Sequence, residues 1–135
     1  MFPGLVELDA GPFLHGKAEL VRRAMIVGNV LDCLGLCKVP ALSLICSYDL
    51  VAEAELTAAL TDTPVAVADL FAAGERTVNL ERLLNLRCGA GEADDCLPDM
   101  FFEKDYNAGQ QPSKPQAWMK PMIQEFYGIM GWDKQ

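Results

Sequence analysis

The stretch LDCLGLCK, residues 31–38, closes the most apolar helical pattern of this 135-residue sequence. Apolar residues precede it at the spacing of one helix face: Leu20, Ala24, Val27, Leu31 and Leu34. Gly35 can end a helix in the left-handed conformation, and Pro40 prevents the helix from resuming at once. The pattern therefore predicts a first helix that begins near Lys17 and ends at this turn, with its second half buried on nearly all sides.

Two more helical regions are predicted downstream of the turn. Residues 41–60 have helical composition, as one helix or as two pieces, with Ser47 or Asp49 capping the second piece. The TDTP segment at 61–64 is typical of a helix start, because a side-chain oxygen can cap the helix and proline fits its first turn. We expect the helix that follows to cover residues 65–87.

The remaining segments complete the predicted architecture. Residues 1–16 have the proline and glycine content of an irregular lead-in, and residues 89–115 that of a long irregular loop. A last helix is expected over residues 119–130, with Pro121 in its first turn. We therefore predict an all-α fold over residues 17–135, a multihelical array of the orthogonal type with about four to six helices.

Composition narrows the possible functions. Hydrophobic residues make up 51% of the chain, so intrinsic disorder is not expected. The formal net charge of −8, without a basic run, argues against binding to nucleic acid or to anionic membranes. The sequence has neither a membrane-span pattern nor a signal-peptide pattern. A cytoplasmic location is therefore expected, with the five cysteines as thiols or metal ligands.

Asp32 is the first candidate site residue. It lies in the last turn of the first predicted helix, where the backbone carbonyls make a carboxylate unfavourable. Its leucine neighbours predict burial, and a buried carboxylate needs hydrogen-bond donors. Those donors are either an arginine or lysine of the chain, in a structural salt bridge, or N–H groups of a bound ligand. Spacing alone leaves both readings open.

The cysteines are the second candidate group. Cys37 follows Gly35 in the turn, where its thiolate can point away from the core, yet spacing alone favours a structural cysteine. Cys33 lies one turn earlier, and the other three cysteines are expected in core or loop positions. With His15 as the single histidine and no Cys-x-x-Cys pair, a self-contained zinc site is not expected.

A dense set of charged and amide side chains marks the helix predicted over residues 65–87. The set comprises Glu75, Arg76, Asn79, Glu81, Arg82, Asn85 and Arg87. We interpret it as scaffolding, a lattice of side-chain bonds that locks neighbouring segments together. Asp94 and Asp95 have the chemistry to bind a cation, but turn formation and capping are commoner roles. Trp118 and Trp132 are expected to anchor packing.

Several segments resemble, in the same order, the aldehyde:ferredoxin oxidoreductases, which are tungsten-dependent enzymes with a bis-pterin cofactor. DCLGLC at residues 32–37 is similar to the D-x-x-G-L-C motif of that family. The other matching segments are GKAELV at 16–21, GERTVNLER at 74–82 with Asn85 and Arg87, DDCLP at 94–98, and YGIMGWD at 127–133. The ordered set covers most of the chain from Gly16 onward.

The resemblance implies roles for four residues. Asp32 would accept hydrogen bonds from the ring N–H groups of one pterin, and Leu36 and Lys38 would touch the same pterin. Cys37 would be the fourth ligand of a [4Fe-4S] cluster that passes electrons from the tungsten or molybdenum centre to ferredoxin. The implied reaction is the oxidation of an aldehyde to a carboxylic acid, and no catalytic residue is implied in this chain.

The resemblance also implies that this sequence holds part of such an enzyme. The Cys-x-x-Cys-x-x-x-Cys run with the other three cluster ligands, the second pterin motif and the acid/base residues have no match here. We therefore expect a carboxy-terminal domain or fragment that is inactive and free of cofactor by itself. Its expected partners are ferredoxin and upstream domains, or a separate subunit, carrying the other cluster cysteines.

Two alternatives remain at this stage. One is a stand-alone helical binding or scaffold module derived from that domain, without catalysis of its own. The other is a relative that acts on another substrate, such as an acyl-CoA reductase subunit. If truncation exposes the domain, we expect the face around Asp32 and Cys37 to be apolar and open, and to be either disordered or buried in self-association.

Overall fold

Four helices of eleven or more residues make up most of the described chain. A computed structural model describes residues 17–40, 49–98 and 115–132. Its elements are α1 (Lys17–Cys33), α2 (Lys38–Pro40), α3 (Val51–Thr61), α4 (Val67–Arg87) and α5 (Pro115–Met130), with a 3-10 turn at Glu92–Asp94. These three ranges contain no strand, and the all-α prediction is confirmed. Within the same ranges, no helix is long and apolar enough to cross a membrane.

Glycine ends α1 where the sequence predicts. Gly35 has a φ of +71°, the left-handed conformation that glycine adopts at no steric cost. The Gly35 N–H donates to the Asp32 carbonyl at 3.1 Å, and the Leu36 N–H donates to the Leu31 carbonyl at 2.9 Å. This pair of bonds is the Schellman motif, which satisfies carbonyls left over at a helix end. Leu36 thereby turns back against the core cluster that contains Leu31.

Helices α1 and α4 cross in direct contact at Gly74. A Cβ on Gly74 would lie 2.6 Å from the Ile26 carbonyl oxygen and 2.8 Å from Val30 Cγ2, so any larger residue would push the helices apart. The side chains buried around the two helices are Ile26, Val27, Val30, Leu31, Leu70 and Val78. Leu50 and Ala54, at the start of α3, extend this core. The core therefore surrounds the second half of α1.

The second half of α1 is nevertheless less enclosed than the sequence predicts. Met25, Asp32 and Cys33 are exposed, although the residues between them include the most deeply buried of the chain's described part. Helix α1 contacts α4 on one side and α5 on another, and a third side faces solvent. The prediction of burial on nearly all sides is wrong, because an apolar run does not by itself supply neighbours for every face.

The TDTP segment ends α3 instead of starting α4. Helix α3 runs to Thr61, and Asp62 then takes a left-handed φ of 51°. Helix α4 begins at Val67, two residues later than predicted. The start of α4 is capped by a residue of the helix itself. Asp69 Oδ2 accepts a hydrogen bond from the Ala66 N–H at 3.0 Å. This carboxylate does the capping that was expected of the TDTP segment.

The starts of α3 and α5 agree with the sequence predictions to different extents. Asp49 Oδ1 accepts a hydrogen bond from the Val51 N–H at 3.1 Å and so satisfies the first donor of α3, but the N-cap position itself is held by Leu50 and not by Asp49. Helix α5 begins at Pro115, before the predicted start, and Pro121 therefore lies inside the helix instead of in its first turn. Pro115 itself suits a first helical position, where the missing N–H costs nothing.

Some of the predicted segments lie outside the described residues. These are the lead-in at 1–16, the first helical piece at 41–45 and the loop over 99–114. The described part of that loop, up to residue 98, is irregular apart from the 3-10 turn.

The close crossing is testable by filling Gly74. We expect Gly74→Ala to lower the free energy of unfolding by about 1–3 kcal/mol, the usual cost of an overpacked core. Gly128→Ala on α5 is the matched control, because no other described part of the chain, apart from its own helix, lies within 4 Å of its added Cβ. The control should gain up to about 1 kcal/mol from helix propensity. Urea unfolding of the two variants measures both effects, and equal stabilities would contradict the crossing.

Candidate functional site

The turn between α1 and α2 holds the residues that the resemblance singles out. The Schellman motif at Gly35 sends Leu36 inward, where it is half-buried against the core, and leaves Cys37 and Lys38 exposed. Asp32, on the last turn of α1, is exposed as well. Three of the four predicted site residues therefore lie at the surface, and the fourth anchors the turn to the core.

Asp32 and Lys38 form an ion pair across this turn. Lys38 Nζ lies 2.6 Å from Asp32 Oδ2, and the two side chains are 44% and 55% exposed. The prediction that Asp32 is buried is wrong, because Leu31 turns into the core and the next helical residue points about 100° away from it. The lysine side chain passes close to Gly28, since a Cβ there would lie 3.7 Å from Lys38 Cε, in ordinary van der Waals contact. The chain itself therefore supplies one of the two kinds of donor expected for Asp32.

The two cysteines beside the turn have different surroundings. Cys33 Sγ lies 3.8 Å from Thr77 Oγ1 on α4, within reach of a weak hydrogen bond. In the described part of the chain no residue gives the Cys37 thiol a hydrogen bond or ion pair, and both thiols are exposed and free. No three His, Cys, Asp or Glu side chains of the described ranges form a group that could hold a metal ion. Any cluster bound here would need ligands from elsewhere.

A polar cluster joins α4 to the segment after the 3-10 turn and to the end of α5. Arg82 Nη1 lies 2.9 Å from Asp95 Oδ2, and Arg82 Nη2 donates to the Tyr127 hydroxyl at 2.6 Å. The Tyr127 hydroxyl donates in turn to Asp95. Trp132 Nε1 donates to Asn79 Oδ1 at 2.7 Å, and the Arg82 guanidinium lies 5.1 Å from the Trp132 ring centre. These bonds confirm the scaffolding interpretation for Asn79 and Arg82, and they confirm the packing role of Trp132.

Two further pairs tie α4 to α1. Arg22 Nη2 lies 2.6 Å from Glu75 Oε1, and the hydrogen bond between them raises the pKa of Arg22. Asn29 Nδ2 donates to Glu81 Oε2 at 3.1 Å. The sequence identified Glu75 and Glu81 as scaffold residues but could not name their partners, which lie more than fifty positions away.

Tyr127 is held as a neutral phenol. Burial, followed by the hydrogen bond to Asp95 and the charge of that carboxylate, raises the pKa of Tyr127 to about 12. The charge of Arg82 opposes this rise without cancelling it. The protonated hydroxyl therefore serves as the donor that Asp95 needs.

Asp94 has the structural role that the sequence favours. Its Oδ2 accepts a hydrogen bond from the Gly91 N–H at 2.7 Å and so closes the 3-10 turn. Asp94 and Asp95 thus divide capping and ion pairing between them.

An apolar cleft of about 340 Å³ between α1, α4 and α5 was not anticipated from the sequence. Its apolar walls include Val21, Met25, Met122, Ile123 and Phe126. The charged groups at its edge are already engaged, since the Arg82 cluster is internally paired and Glu81 is bound to α1. No sequence signal pointed to this cleft, because its residues come from three helices far apart in the chain.

The fold and the turn define an all-helical domain that presents a carboxylate, an ammonium and a thiol at one glycine-closed helix end. A family model described as "Aldehyde ferredoxin oxidoreductase, domains 2 & 3" matches residues 4–135. The chain therefore belongs to the aldehyde ferredoxin oxidoreductase family, and the resemblance read from its motifs is confirmed.

The chain is also similar to a tungsten-containing member of this family. A tungsten-containing aldehyde ferredoxin oxidoreductase from Pyrococcus furiosus is 39% identical over 66 residues. That stretch is 47% of this chain and only 11% of the relative's length. No solved structure matches the chain significantly.

The Arg82 cluster gives a prediction at alkaline pH. We expect one of the chain's three tyrosines to ionise near pH 12 in the folded state, against about 10 for an unfolded tyrosine. Because the native pKa is the higher, the contribution of Tyr127 to stability is complete below about pH 10 and is lost as pH rises toward about 12. Phenolate absorbance and urea unfolding at each pH measure the two effects.

Tyr127→Phe is the control for that titration. It should remove the late phenolate transition and flatten the fall in stability over the same pH window. If all three tyrosines of the parent chain ionise together near pH 10, the half-buried hydrogen bond from Tyr127 to Asp95 is not present in solution.

Proposed function

We propose that this chain acts as the carboxy-terminal domain of a tungsten- or molybdenum-pterin iron-sulfur oxidoreductase that oxidises aldehydes to carboxylic acids with ferredoxin as electron acceptor. In this proposal the domain contributes one pterin-binding turn and one ligand of a [4Fe-4S] cluster. The observation that carries it is the exposed Asp32–Lys38 turn, whose sequence has the family motif, in a chain whose family membership is shown. The enzyme would work in the cytoplasm.

The chemistry of Asp32 fits a pterin ligand. A carboxylate accepts hydrogen bonds on both oxygens, which suits the neighbouring N–H groups of a pterin ring. In the structure Asp32 is bound to Lys38, and both side chains are about half exposed. An exposed ion pair of this kind is worth only about 0–1 kcal/mol, so a ligand with better-placed donors can replace it at little cost. Lys38 would then be free to contact the same ligand.

Leu36 would take part through its main chain. Its N–H is already bonded to the Leu31 carbonyl, and its side chain packs against the core. The Leu36 carbonyl is therefore the group that could accept a hydrogen bond from a pterin, and the buried side chain would hold that carbonyl in place.

Cys37 fits a single cluster ligand. Its thiol is exposed, and no described residue engages it, whereas Cys33 is turned toward Thr77. A [4Fe-4S] cluster takes about four thiolates, and the described ranges bring no three metal-ligating side chains together. The other ligands would come from polypeptide outside the described ranges, either in the same chain or in a separate subunit.

The cofactors, when bound, would supply the redox chemistry, and the residues of this chain would place them. Asp32 would orient the pterin, Cys37 would hold one edge of the cluster, and Leu36 would fix the turn that carries both. No side chain of this turn is assigned a proton-transfer step.

A scaffold or binding module without catalysis of its own is the second candidate. The two candidates separate on whether a protein containing this chain, purified anaerobically from its own cells, carries tungsten and iron. The module predicts neither metal.

The purified 135-residue chain should be colourless and should lack stoichiometric iron and tungsten after anaerobic preparation. One thiolate cannot replace the several that a cluster requires, and part of a pterin site gives up most of its contacts. Metal analysis and the visible spectrum provide the measurement. About four irons per chain would overturn the assignment of a single cluster ligand.

Variants of the complete enzyme test the residue assignments. Cys37→Ser should lose the cluster iron and the electron paramagnetic resonance signal of the cluster. Cys33→Ser, which removes an exposed thiol four positions earlier, should keep both. Asp32→Ala should weaken pterin retention about ten- to a hundredfold, because hydrogen bonds to a charged group are worth about 1.5–3 kcal/mol. Unchanged tungsten content in Asp32→Ala, or equal iron in the two cysteine variants, would refute the corresponding role.

A further inference from the structure

The outward face of α4 carries a row of exposed leucines that nothing in the proposed function uses. Leu80, Leu83 and Leu84, which we call the leucine stripe, are 64%, 51% and 61% exposed. We propose that the leucine stripe docks onto the cofactor-bearing remainder of an aldehyde ferredoxin oxidoreductase, as one continuous interface with the turn at residues 31–38. This inference rests on the proposed function and adds the surface through which the domain joins its partner.

The spacing of the three leucines places their side chains next to one another in one apolar patch. Residues at i, i+3 and i+4 lie side by side on a helix surface, so the three leucines adjoin one another. Gly74 and Val78, on the opposite side of α4, are buried against α1. Single exposed leucines are ordinary, but adjoining ones on the outer face of a helix that is already packed on its inner face mark an interaction surface.

The stripe is continuous with the candidate site. Cys33, at the end of α1, lies 3.8 Å from Thr77 on α4. From Thr77, positions i+3 and i+7 are Leu80 and Leu84, so the row runs along α4 over about 10 Å. A partner that supplies further cluster ligands opposite Cys37 can therefore contact the leucine stripe as part of the same continuous surface.

The leucine stripe is too small to form a stable interface alone, so its partner must also cover neighbouring surface. Three leucines are few against the roughly 20–30 residues that each side contributes to a standard interface. The additional area is available if the same partner also covers the neighbouring turn. The matched stretch is 11% of the Pyrococcus furiosus relative, and the family model is described as domains 2 and 3, so the family's enzymes have further polypeptide to occupy this surface.

The charges beside the stripe argue against a second copy of this chain. Arg76 and Arg87 are exposed and bracket the leucines on the outer face of α4. A twofold pairing of two stripes, with antiparallel helices, would bring Arg76 of one copy against Arg87 of the other. Like charges placed together are repelled. The fitting partner instead presents an apolar patch flanked by carboxylates.

Hydroxyl-radical footprinting tests the proposal on two samples. One is the purified 135-residue chain, and the other is the tungsten-containing protein that carries this chain, isolated anaerobically from its own cells. We expect oxidation of Leu80 and Leu84 to fall at least about fivefold in the second sample, since the centre of an interface is as desolvated as a protein interior. Leu60, which is 78% exposed and lies on α3 instead of α4, is the internal control and should react equally in both samples.

Metal analysis of the same samples separates failure of this inference from failure of the proposed function. A tungsten- and iron-containing protein with a fully reactive stripe would overturn the docking surface while the proposed function stands. Absence of both metals from the isolated protein would overturn the proposed function and, with it, the named partner, even if another protein protects the stripe. Protection of the stripe in the purified chain at high concentration would show self-association instead and would also overturn the proposal.

Paired variants give an independent measurement. Leu80→Glu with Leu84→Glu should reduce the tungsten and iron recovered with the chain at least about tenfold, because each introduced charge would be desolvated at the interface. Leu60→Glu should leave recovery unchanged. All three positions are exposed, so circular dichroism of the purified variants should match that of the parent chain. Full metal recovery in the Leu80/Leu84 variant would refute the interface.

Discussion

The close crossing of α1 and α4 at Gly74 is the constraint on which the rest of the structure depends. Because Gly74 has no side chain, the backbone of α4 can lie against Ile26. At this separation Arg22 reaches Glu75 at 2.6 Å and Asn29 reaches its α4 partner at 3.1 Å. The crossing also brings the end of α1 beside α4. One absent side chain therefore determines both the polar ties between the helices and the place where the candidate site emerges.

The ends of α1 and α5 have the same backbone geometry, but the residues that follow them differ in exposure. Gly131 has a φ of +70°, and the Trp132 N–H donates to the Tyr127 carbonyl at 2.9 Å, as in the motif at Gly35. At the end of α5 the residue after glycine is an indole, which returns to the protein and binds α4. At the end of α1 the residue after glycine is Leu36, which returns to the core so that the next two residues emerge into solvent. The side chain after the glycine therefore decides whether the turn binds the rest of the fold or leaves the following residues exposed, as in the candidate site.

The sequence predicted the features that depend on local chemistry. The end of α1 at Gly35 follows from the backbone preference of one residue and is confirmed. Asp49 binds the first N–H of α3, but Leu50 holds the N-cap position. The exposure of Asp32 could not be predicted, because it depends on which sides of α1 are covered by helices distant in sequence. The start of α4 was misplaced because a second acidic residue, Asp69, competed for the capping role. Local signals thus located the elements, and tertiary contacts decided which faces became surface.

The separation of structural and site residues has a physical consequence for a domain that holds part of a cofactor site. The charges that stabilise the fold, such as Arg82 and Asp95, are half-buried and paired with each other. The charges at the turn, Asp32 and Lys38, are half exposed and neutralise each other without a ligand. A domain that buried its cofactor-facing carboxylate would carry an unpaired charge whenever the cofactor was missing, at a cost of several kcal/mol. Because Asp32 lies outside the core and is paired with Lys38, this domain can fold without a ligand. Under the proposed function it would then offer a preformed turn to its partner, and assembly of the site would not depend on folding around the cofactor.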